Sequence, residues 1–440
     1  MQINKLLIYI LYNIIITYFL VITYFNSFYK DIELIPYYFS FYLFGNYTIY
    51  NIFKNKQIIT LQNSFNVFGF LYSNFYITQM IYSNSKIHSN YYLAMFLSYI
   101  SIFVFNIFYL FTKKNIKFSY VNKYLTLSKN NINNLTFILF LSLFFCFSIE
   151  YYVLFKKIGV INYLVASRAS KSLLLAPYSR LSFYKLIIPL ISIIALLLYV
   201  KYKKRKAKIV FFIAFTLTLF DSILSASRSE LISVLLPIFY ILEKYNIITK
   251  KILLIIAISS FILFGMWKSL LRASQVEIYY DSEFNTWYKI CNNVLNSNLP
   301  MQFGKSYLDT IINIVIPFTN SEPLSRWYIK RFEYSIYEKG GGRGFSGVLE
   351  AFMNWGYLGN ILVFGFYGFL MKQIQMKIYK NNDFFEIIYM ILLISLFQFF
   401  RSESYSLWKN MVWFRIYPFV AMFVFAKSLK INLINKRLLH

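Results

Sequence analysis

The chain has few acidic residues, few histidines and few cysteines for its length. Its 440 residues include 17 Asp and Glu against 45 Lys and Arg, 2 His and 2 Cys. With only His88 and the terminal His440, a histidine-based metal centre or a Ser-His-Asp triad is not expected. Cys146 and Cys291 form no Cys-x-x-Cys pair, which argues against a structural zinc site or a disulfide framework. There is also no Walker-type glycine loop. The sequence therefore predicts neither a metal nor a cofactor.

Apolar residues are abundant. Hydrophobic residues make up 58% of the chain and charged residues 14%, whereas soluble proteins are about 45–50% apolar and about 25% charged. This composition predicts an all-α, polytopic bundle of transmembrane helices. The net charge of +28 lies mostly in short loops between apolar stretches, and the positive-inside rule accounts for such loops. A nucleic-acid partner is therefore not predicted, and the predicted partner is the lipid bilayer.

About twelve stretches are apolar enough to cross a bilayer, for which about 20 residues are needed. The stretch at 5–25 is too long for a signal peptide and lacks a small-residue cleavage site, so it is predicted to be the first span. The stretch at 60–82 contains several amides and should face the bundle interior. The predicted spans are 5–25, 33–53, 60–82, 91–112, 135–155, 183–201, 208–226, 229–245, 250–270, 346–371, 384–401 and 409–427.

Basic residues follow every second predicted span, for example Lys54 and Lys56 after the second and Lys201 to Lys208 after the sixth. Both termini are therefore expected in the cytoplasm. The chain is predicted to form one integral membrane domain over residues 1–440. Two longer loops are expected at the outer face: a shorter one at 156–182 and a large one at 271–345. Within the large loop, residues 306–316 have an amphipathic pattern that is typical of a helix lying along a membrane surface.

Polar residues that could carry chemistry lie in four segments, all predicted at the outer face. Arginine donates paired hydrogen bonds that suit phosphate, and a carboxylate in or near a membrane is a functional candidate. The segments are Val165-Ala-Ser-Arg-Ala-Ser-Lys171, Asp221-Ser-Ile-Leu-Ser-Ala-Ser-Arg-Ser-Glu230, Gly340-Gly-Gly-Arg-Gly-Phe-Ser-Gly-Val-Leu-Glu350 and Phe400-Arg-Ser-Glu403.

Each candidate also has a plainer structural interpretation. Arg228 could reach the interface and pair with Glu230, and Arg401 could do the same with Glu403. Arg168 could be a solvated loop residue, Arg343 part of a flexible glycine turn, and Arg272 an anchor for the ninth span. Glu350 could pair with one of these arginines. The functional interpretation is that the arginines stabilise a departing diphosphate while a carboxylate deprotonates an attacking hydroxyl.

These features resemble the Wzy-type polysaccharide polymerases, also called O-antigen or oligosaccharide repeat-unit polymerases. The resemblance includes the many spans, the arginine in the shorter outer loop, the Ser227-Arg-Ser-Glu230 turn and the large late outer loop. The run from Ser346 to Gly359 looks like that family's segment after the large loop, where a small-residue turn leads to an Asn-aromatic-Gly-x-x-Gly helix. The resemblance covers most of the chain in architecture but about 30 residues in motif.

The resemblance implies a GT-C-like, metal-independent glycosyltransferase in the bacterial cytoplasmic (inner) membrane. It would join undecaprenyl-diphosphate-linked oligosaccharide repeat units at the outer face, for O-antigen, capsule or exopolysaccharide. Glu350, Arg228 and Arg401 would be catalytic. The substrate-binding residues would be Arg168, Arg343, Arg272, Glu230 and Glu403, and Glu230 and Glu403 are also alternative bases. A chain-length regulator that binds the outer loop is a candidate partner.

Three other functions fit parts of the sequence. A lipid-linked oligosaccharide flippase or other transporter would also have many spans, but no internal repeat is visible and the charges lie near one face. An O-antigen ligase-like transferase is disfavoured because related ligases use a histidine near the late loop, and this chain has none there. A non-catalytic membrane scaffold would not need arginines at tight outer turns.

Overall fold

A computed structural model describes most of the chain. Within the described residues every regular element is helical and none is a strand, which confirms the predicted all-α class. At some helical positions, including Arg228 and Glu230, only the backbone is described. The described ranges are 42–48, 57–82, 89–112, 127–165, 174–178, 181, 184–225, 228–253, 255–256, 283–297, 299–316, 321–338, 343–378, 382–396 and 398–429.

Most helices coincide with predicted spans, and four lie in the predicted large outer loop. In chain order they are α1 (Leu61–Tyr82), α2 (Ser89–Phe111), α3 (Lys129–Glu150, continued by a π-helical turn at Tyr151–Ile158), α4 (Val160–Val165), α5 (Tyr184–Tyr202), α6 (Arg205–Ser225), α7 (Arg228–Lys244), α8 (Glu283–Asn296), α9 (Lys305–Val315), α10 (Leu324–Phe332), α11 (Tyr334–Glu338), α12 (Gly347–Ile378), α13 (Asp383–Ser395), α14 (Gln398–Arg401), α15 (Ser404–Met411, continued by a π-helical turn at Val412–Ile416) and α16 (Tyr417–Ser428).

Five helices of the described part are long and apolar enough to cross a membrane, which supports an integral membrane protein. They are Tyr92–Phe111, Lys129–Ile158, Tyr184–Tyr202, Arg205–Leu224 and Ser404–Ser428. The predicted span at 5–25 lies outside the described residues, as do most of 33–53 and most of 250–270. The number of twelve spans therefore stays a prediction.

The described residues divide into two compact units, and the single integral membrane domain over 1–440 stays a prediction. The first unit comprises the described residues within 1–117, 274–380 and 395–409. In it α2 packs along α12 and α1, and α8 packs against both α1 and α2. The amides of Asn66 and Asn106 lie between α1 and α2, are fully buried and hydrogen-bond to each other at 2.6 and 3.2 Å. The expectation that the polar side of the 60–82 span faces the interior is thus confirmed at Asn66.

The second unit comprises the described residues within 118–273, 381–394 and 410–440 and is built around α5. Helix α5 contacts α3, α6 and α7. Apart from Ser192, its sequence is apolar on all sides from Leu186 to Val200, as expected of a helix buried by its neighbours. At its end, Lys201 pairs with Asp383 at 2.6 Å and with Glu386 at 3.1 Å. At its start, Lys185 lies 3.9 Å from Asp221.

Helix α12 is broken inside its length. Trp355 and Gly356 have non-helical backbone angles, and Gly356 has a φ of +60°. The break separates a short first part, which carries Glu350, from a long second part that packs on α2. The sequence predicted one uninterrupted span over 346–371, and the break is the main departure from that prediction.

Candidate functional site

The first unit contains a cavity of about 490 Å³ built mainly by the predicted large outer loop. This size lies within the range of about 300–1,000 Å³ that is typical of ligand sites. Two segments of the loop, the first turn of α12 and the turn before α15 form its wall. The lining residues are Gln302, Lys305, Ser306, Asp309, Ser321, Glu322, Pro323, Leu324, Trp327, Glu350, Glu403 and Tyr405.

Glu350 is fixed in the wall by the start of α15. Its Oε2 accepts a hydrogen bond from the backbone N–H of Ser404 at 2.6 Å, and its Oε1 accepts one from the Ser404 hydroxyl at 2.7 Å. The Ser404 hydroxyl lies 3.0 Å from the hydroxyl of Thr310 on α9. The N–H groups of the first turn of a helix have no partner within that helix, so a carboxylate is favourable there. Glu350 therefore ties α9, α12 and α15 together while it reaches the cavity.

Glu403 is the second buried carboxylate of this wall, with 1% of its surface exposed. Its Oε1 accepts hydrogen bonds from the hydroxyls of Ser325, at 3.0 Å, and Ser406. Its Oε2 is buried and has no hydrogen-bond partner among the described residues. Burial raises the pKa of Glu403 above its usual value, and the two serine hydroxyls oppose that rise. A buried carboxylate oxygen without a partner is costly, so this atom is suited to accept a hydrogen bond from a ligand.

Residues at the break in α12 hold the start of α9 in place. The Asn354 side chain accepts a hydrogen bond from the N–H of Gly304 at 2.9 Å and donates to the hydroxyl of Ser306 at 2.8 Å. The Trp355 ring stacks on Tyr307 with centroids 5.4 Å apart and an interplanar angle of 2°. The Asn-Trp-Gly sequence thus forms a bracket that fixes the start of α9 beside Glu350.

Gly304 is required where this bracket meets α9. Its φ is +87°, a conformation that side chains disfavour, and a Cβ atom there would lie 2.6 Å from the Trp355 ring. The position therefore accepts no side chain without displacement of the indole.

Two of the predicted arginines lie close together but do not line the cavity. Arg343 pairs through its Nε with Glu333 at 2.8 Å, and the other oxygen of Glu333 binds Lys289 at 2.8 Å. The next residue, Gly344, packs against Arg401, because a Cβ atom at Gly344 would lie 2.7 Å from the Arg401 carbonyl oxygen and 3.2 Å from its Cγ. The third and fourth polar segments of the sequence thus meet in the first unit.

Hydrogen bonds from Lys289 and Arg343 also set the ionisation of Glu333. Burial raises the pKa of this carboxyl, but the two hydrogen bonds outweigh it and hold the pKa below the ordinary value of 4.5. Glu333 is therefore a firmly ionised partner for these cations.

The remaining predicted site residues fall elsewhere. Arg168 and Arg272 lie outside the described residues, as do the side chains of Arg228 and Glu230. The backbone of Arg228 begins α7 in the second unit. Of the eight predicted residues, Glu350 and Glu403 lie in one cavity wall. Arg343 and Arg401 lie close to each other, because Gly344 packs against Arg401. The roles assigned to all eight stay predictions.

The sequence did not single out several lining residues: Asp309, Glu322, Trp327 and Tyr405. Asp309 lies on the predicted amphipathic helix, now confirmed as α9, and its position on the polar side of that pattern was the available signal. Glu322, just before α10, and Trp327, on α10, carry no local signal, because their place in the cavity wall depends on the tertiary structure.

No protein-family model matches the chain, and no curated protein or solved structure matches it.

Proposed function

We propose that the protein is a membrane glycosyltransferase that joins lipid-diphosphate-linked oligosaccharide repeat units at the outer face of the bacterial cytoplasmic membrane. The observation that carries this proposal is the position of Glu350. It is 1% exposed, held by two hydrogen bonds from Ser404, and lies in the wall of a ligand-sized cavity beside Glu403. Two carboxylates in one buried site are typical of enzymes that move protons during the transfer of sugars.

In this scheme Glu350 is the general base. An acceptor sugar in the cavity presents a hydroxyl, and its oxygen forms a bond to the anomeric carbon of the donor sugar. The bond between that carbon and the lipid diphosphate breaks, and its electron pair leaves with the diphosphate. The hydroxyl proton passes to the Glu350 carboxylate. Arg343 and Arg401 lie outside the cavity lining. The diphosphate is therefore assigned a position outside the cavity as well, where charge-assisted hydrogen bonds from arginine would stabilise the leaving group.

The outer face of α9 supports a substrate carried on a lipid. On one side this helix contributes Lys305, Ser306 and Asp309 to the cavity. Its other side exposes large apolar residues, namely Leu308, Ile311, Ile312 and Val315, with Phe303 and Ile316 beside them. Such a face suits the boundary between headgroups and acyl chains. A sugar attached to a membrane lipid could then reach the cavity while its lipid stays in the bilayer.

The buried charges of the second unit do not favour the transporter alternative. Lys185 and Lys201 are the second and second-to-last residues of α5, about 24 Å apart at 1.5 Å per residue. Their carboxylate partners therefore lie near the two ends of the helix, whereas transporter sites lie near the membrane midplane.

The test is polymer length in a strain that lacks the gene. It should be complemented with wild type, Glu350→Gln or Glu338→Gln at equal protein level. Glu338 is an exposed carboxyl on α11 and serves as the matched control. Wild type and Glu338→Gln should restore long chains, while Glu350→Gln should leave single repeat units on the lipid at the outer face. Accumulation of single units on the cytoplasmic side would instead indicate a flippase.

A further inference from the structure

The cavity is lined by more acidic than basic side chains. Asp309, Glu322, Glu350 and Glu403 line it, and Lys305 is the one cation among its described lining residues. Glu322 is neutralised by Lys330 at 2.6 Å. Asp309, Glu350 and Glu403 have no ion pair among the described residues. The ion pairs of the described part involve other carboxylates, namely Asp221, Asp383, Glu386, Glu333 and Glu322.

The same cavity is equipped to bind hydroxyl and amine donors. Carboxylate oxygens accept hydrogen bonds and cannot donate them when ionised, and the buried Oε2 of Glu403 has no partner among the described residues. Ser306, Ser321 and Gln302 add neutral polar groups, and Trp327 and Tyr405 add aromatic surface. This mixture of apolar faces and a few polar groups is typical of small-molecule sites. A ligand with many hydroxyls, or with an ammonium group, would satisfy these acceptors.

We infer that this cavity is the subsite for the acceptor sugar, and that it selects a neutral or amine-bearing sugar over one that carries a carboxylate or a phosphate. The inference rests on the proposed function and adds the chemical class of the acceptor. A uronic acid would bring a carboxylate into a wall that already holds Asp309, Glu350 and Glu403, and like charges brought together across an interface are strongly unfavourable. Asp309 is then a specificity-determining residue, because it is an acidic side chain that lines the cavity and has no ion pair among the described residues.

The test uses the full chain, purified in lipid nanodiscs, and three probes. These are a disaccharide of glucosamine with free amines, its N-acetylated form, and a disaccharide that ends in glucuronic acid. Binding is measured by calorimetry for wild type, Asp309→Asn and the exposed control Glu338→Gln. The glucuronate probe should bind wild type about tenfold or more weakly than the N-acetylated probe. Asp309→Asn should reduce that difference, and Glu338→Gln should leave it unchanged. Thermal unfolding of each variant checks that it is folded.

Transfer of a lipid-linked donor to the same three acceptors separates the two claims. Transfer to all three with equal efficiency would overturn the inference and leave the proposed function standing. Binding in the expected order without any transfer would contradict the proposed function and support a sugar site of this charge preference. Failure of every probe to bind, or tighter binding of the glucuronate probe, would overturn the inference.

Discussion

The carboxylate of Glu350 and the first residue of α15, Ser404, are joined by two hydrogen bonds of 2.6 and 2.7 Å. One donor is a backbone N–H and the other a hydroxyl, so each carboxylate oxygen has a fixed direction. This arrangement orients a buried carboxylate along the cavity wall. It also links the first turn of α12 to α15. Orientation of this kind is what a general base requires, since proton transfer depends on short heavy-atom distances.

Removal of the Ser404 hydroxyl should therefore impair transfer more than it impairs folding. Ser404→Ala keeps the backbone N–H but frees Glu350 Oε1, and we expect about a tenfold loss of transfer rate. Ser402→Ala is the control, because Ser402 lies two residues before Ser404, is half-buried and is not a hydrogen-bond partner of Glu350 in this pair of bonds. Rates would be measured on purified chains with a lipid-linked substrate, alongside their unfolding midpoints. Equal rates for both variants would contradict an orienting role for Ser404.

The bracket formed by Asn354 and Trp355 makes a prediction about stability. Gly304→Ala should destabilise the first unit by about 1–3 kcal/mol, because alanine disfavours a φ of +87° and its Cβ would lie 2.6 Å from the Trp355 ring. Gly45→Ala should be neutral, since a Cβ there would meet only the Phe70 ring, at 3.7 Å. Thermal unfolding in detergent compares the two. A loss at Gly45 that equals the loss at Gly304 would show that the bracket has no special role.

The sequence predicted much of the fold, because hydrophobic length and basic loops are local signals. The stretches at 60–82, 91–112 and 183–201 correspond closely to α1, α2 and α5. The amphipathic pattern at 306–316 became α9 for the same reason. The break at Trp355 and Gly356 was missed. Gly356, with a φ of +60°, was the available local signal, whereas the contacts of Asn354 and Trp355 with the start of α9 join residues that are distant in the sequence.

The site was only partly predictable. Glu350 and Glu403 stood out because carboxylates are rare in this chain and these two lie beside apolar runs. Their meeting in one wall depends on a hydrogen bond between residues 350 and 404, which no local pattern encodes. Arg343 stood out as a phosphate ligand, but its Nε pairs with Glu333, ten residues before it. Lys201 was assigned to a basic loop, and its pairing with the buried Asp383 required the tertiary structure.

Glu333 makes a prediction about pH. Its folded-state pKa lies below 4.5, so its contribution to stability is fully present above that value. The contribution should be lost as the pH falls through the lower folded-state pKa. Glu333→Gln should therefore be less stable than wild type at pH 7, and the difference should shrink as the pH falls below 4.5. Unfolding midpoints measured at several pH values check this, and a difference that stays constant would contradict the role of the Lys289 and Arg343 pairs.

The predicted topology can be tested with an impermeant thiol reagent in intact cells. Ser335 on α11 and Lys206 on α6 are both exposed, and they are predicted on opposite sides of the membrane. Cysteine at Ser335 should be labelled, whereas cysteine at Lys206 should be labelled only after the cells are opened. The native Cys146 and Cys291 are 2% and 1% exposed and should contribute little background. The reverse pattern would place the cavity on the cytoplasmic face and exclude an outer-face polymerase.

The most direct measurement is transfer by the purified full chain between synthetic lipid-diphosphate-linked oligosaccharides, with product length read by mass spectrometry. Wild type should extend the chain by whole repeat units. Glu350→Gln should be folded but at least about a hundredfold slower, because an amide cannot accept the hydroxyl proton. Transfer by Glu350→Gln at the wild-type rate, or no transfer by the folded wild-type chain with any such substrate, would contradict the assignment of this cavity to glycosyl transfer.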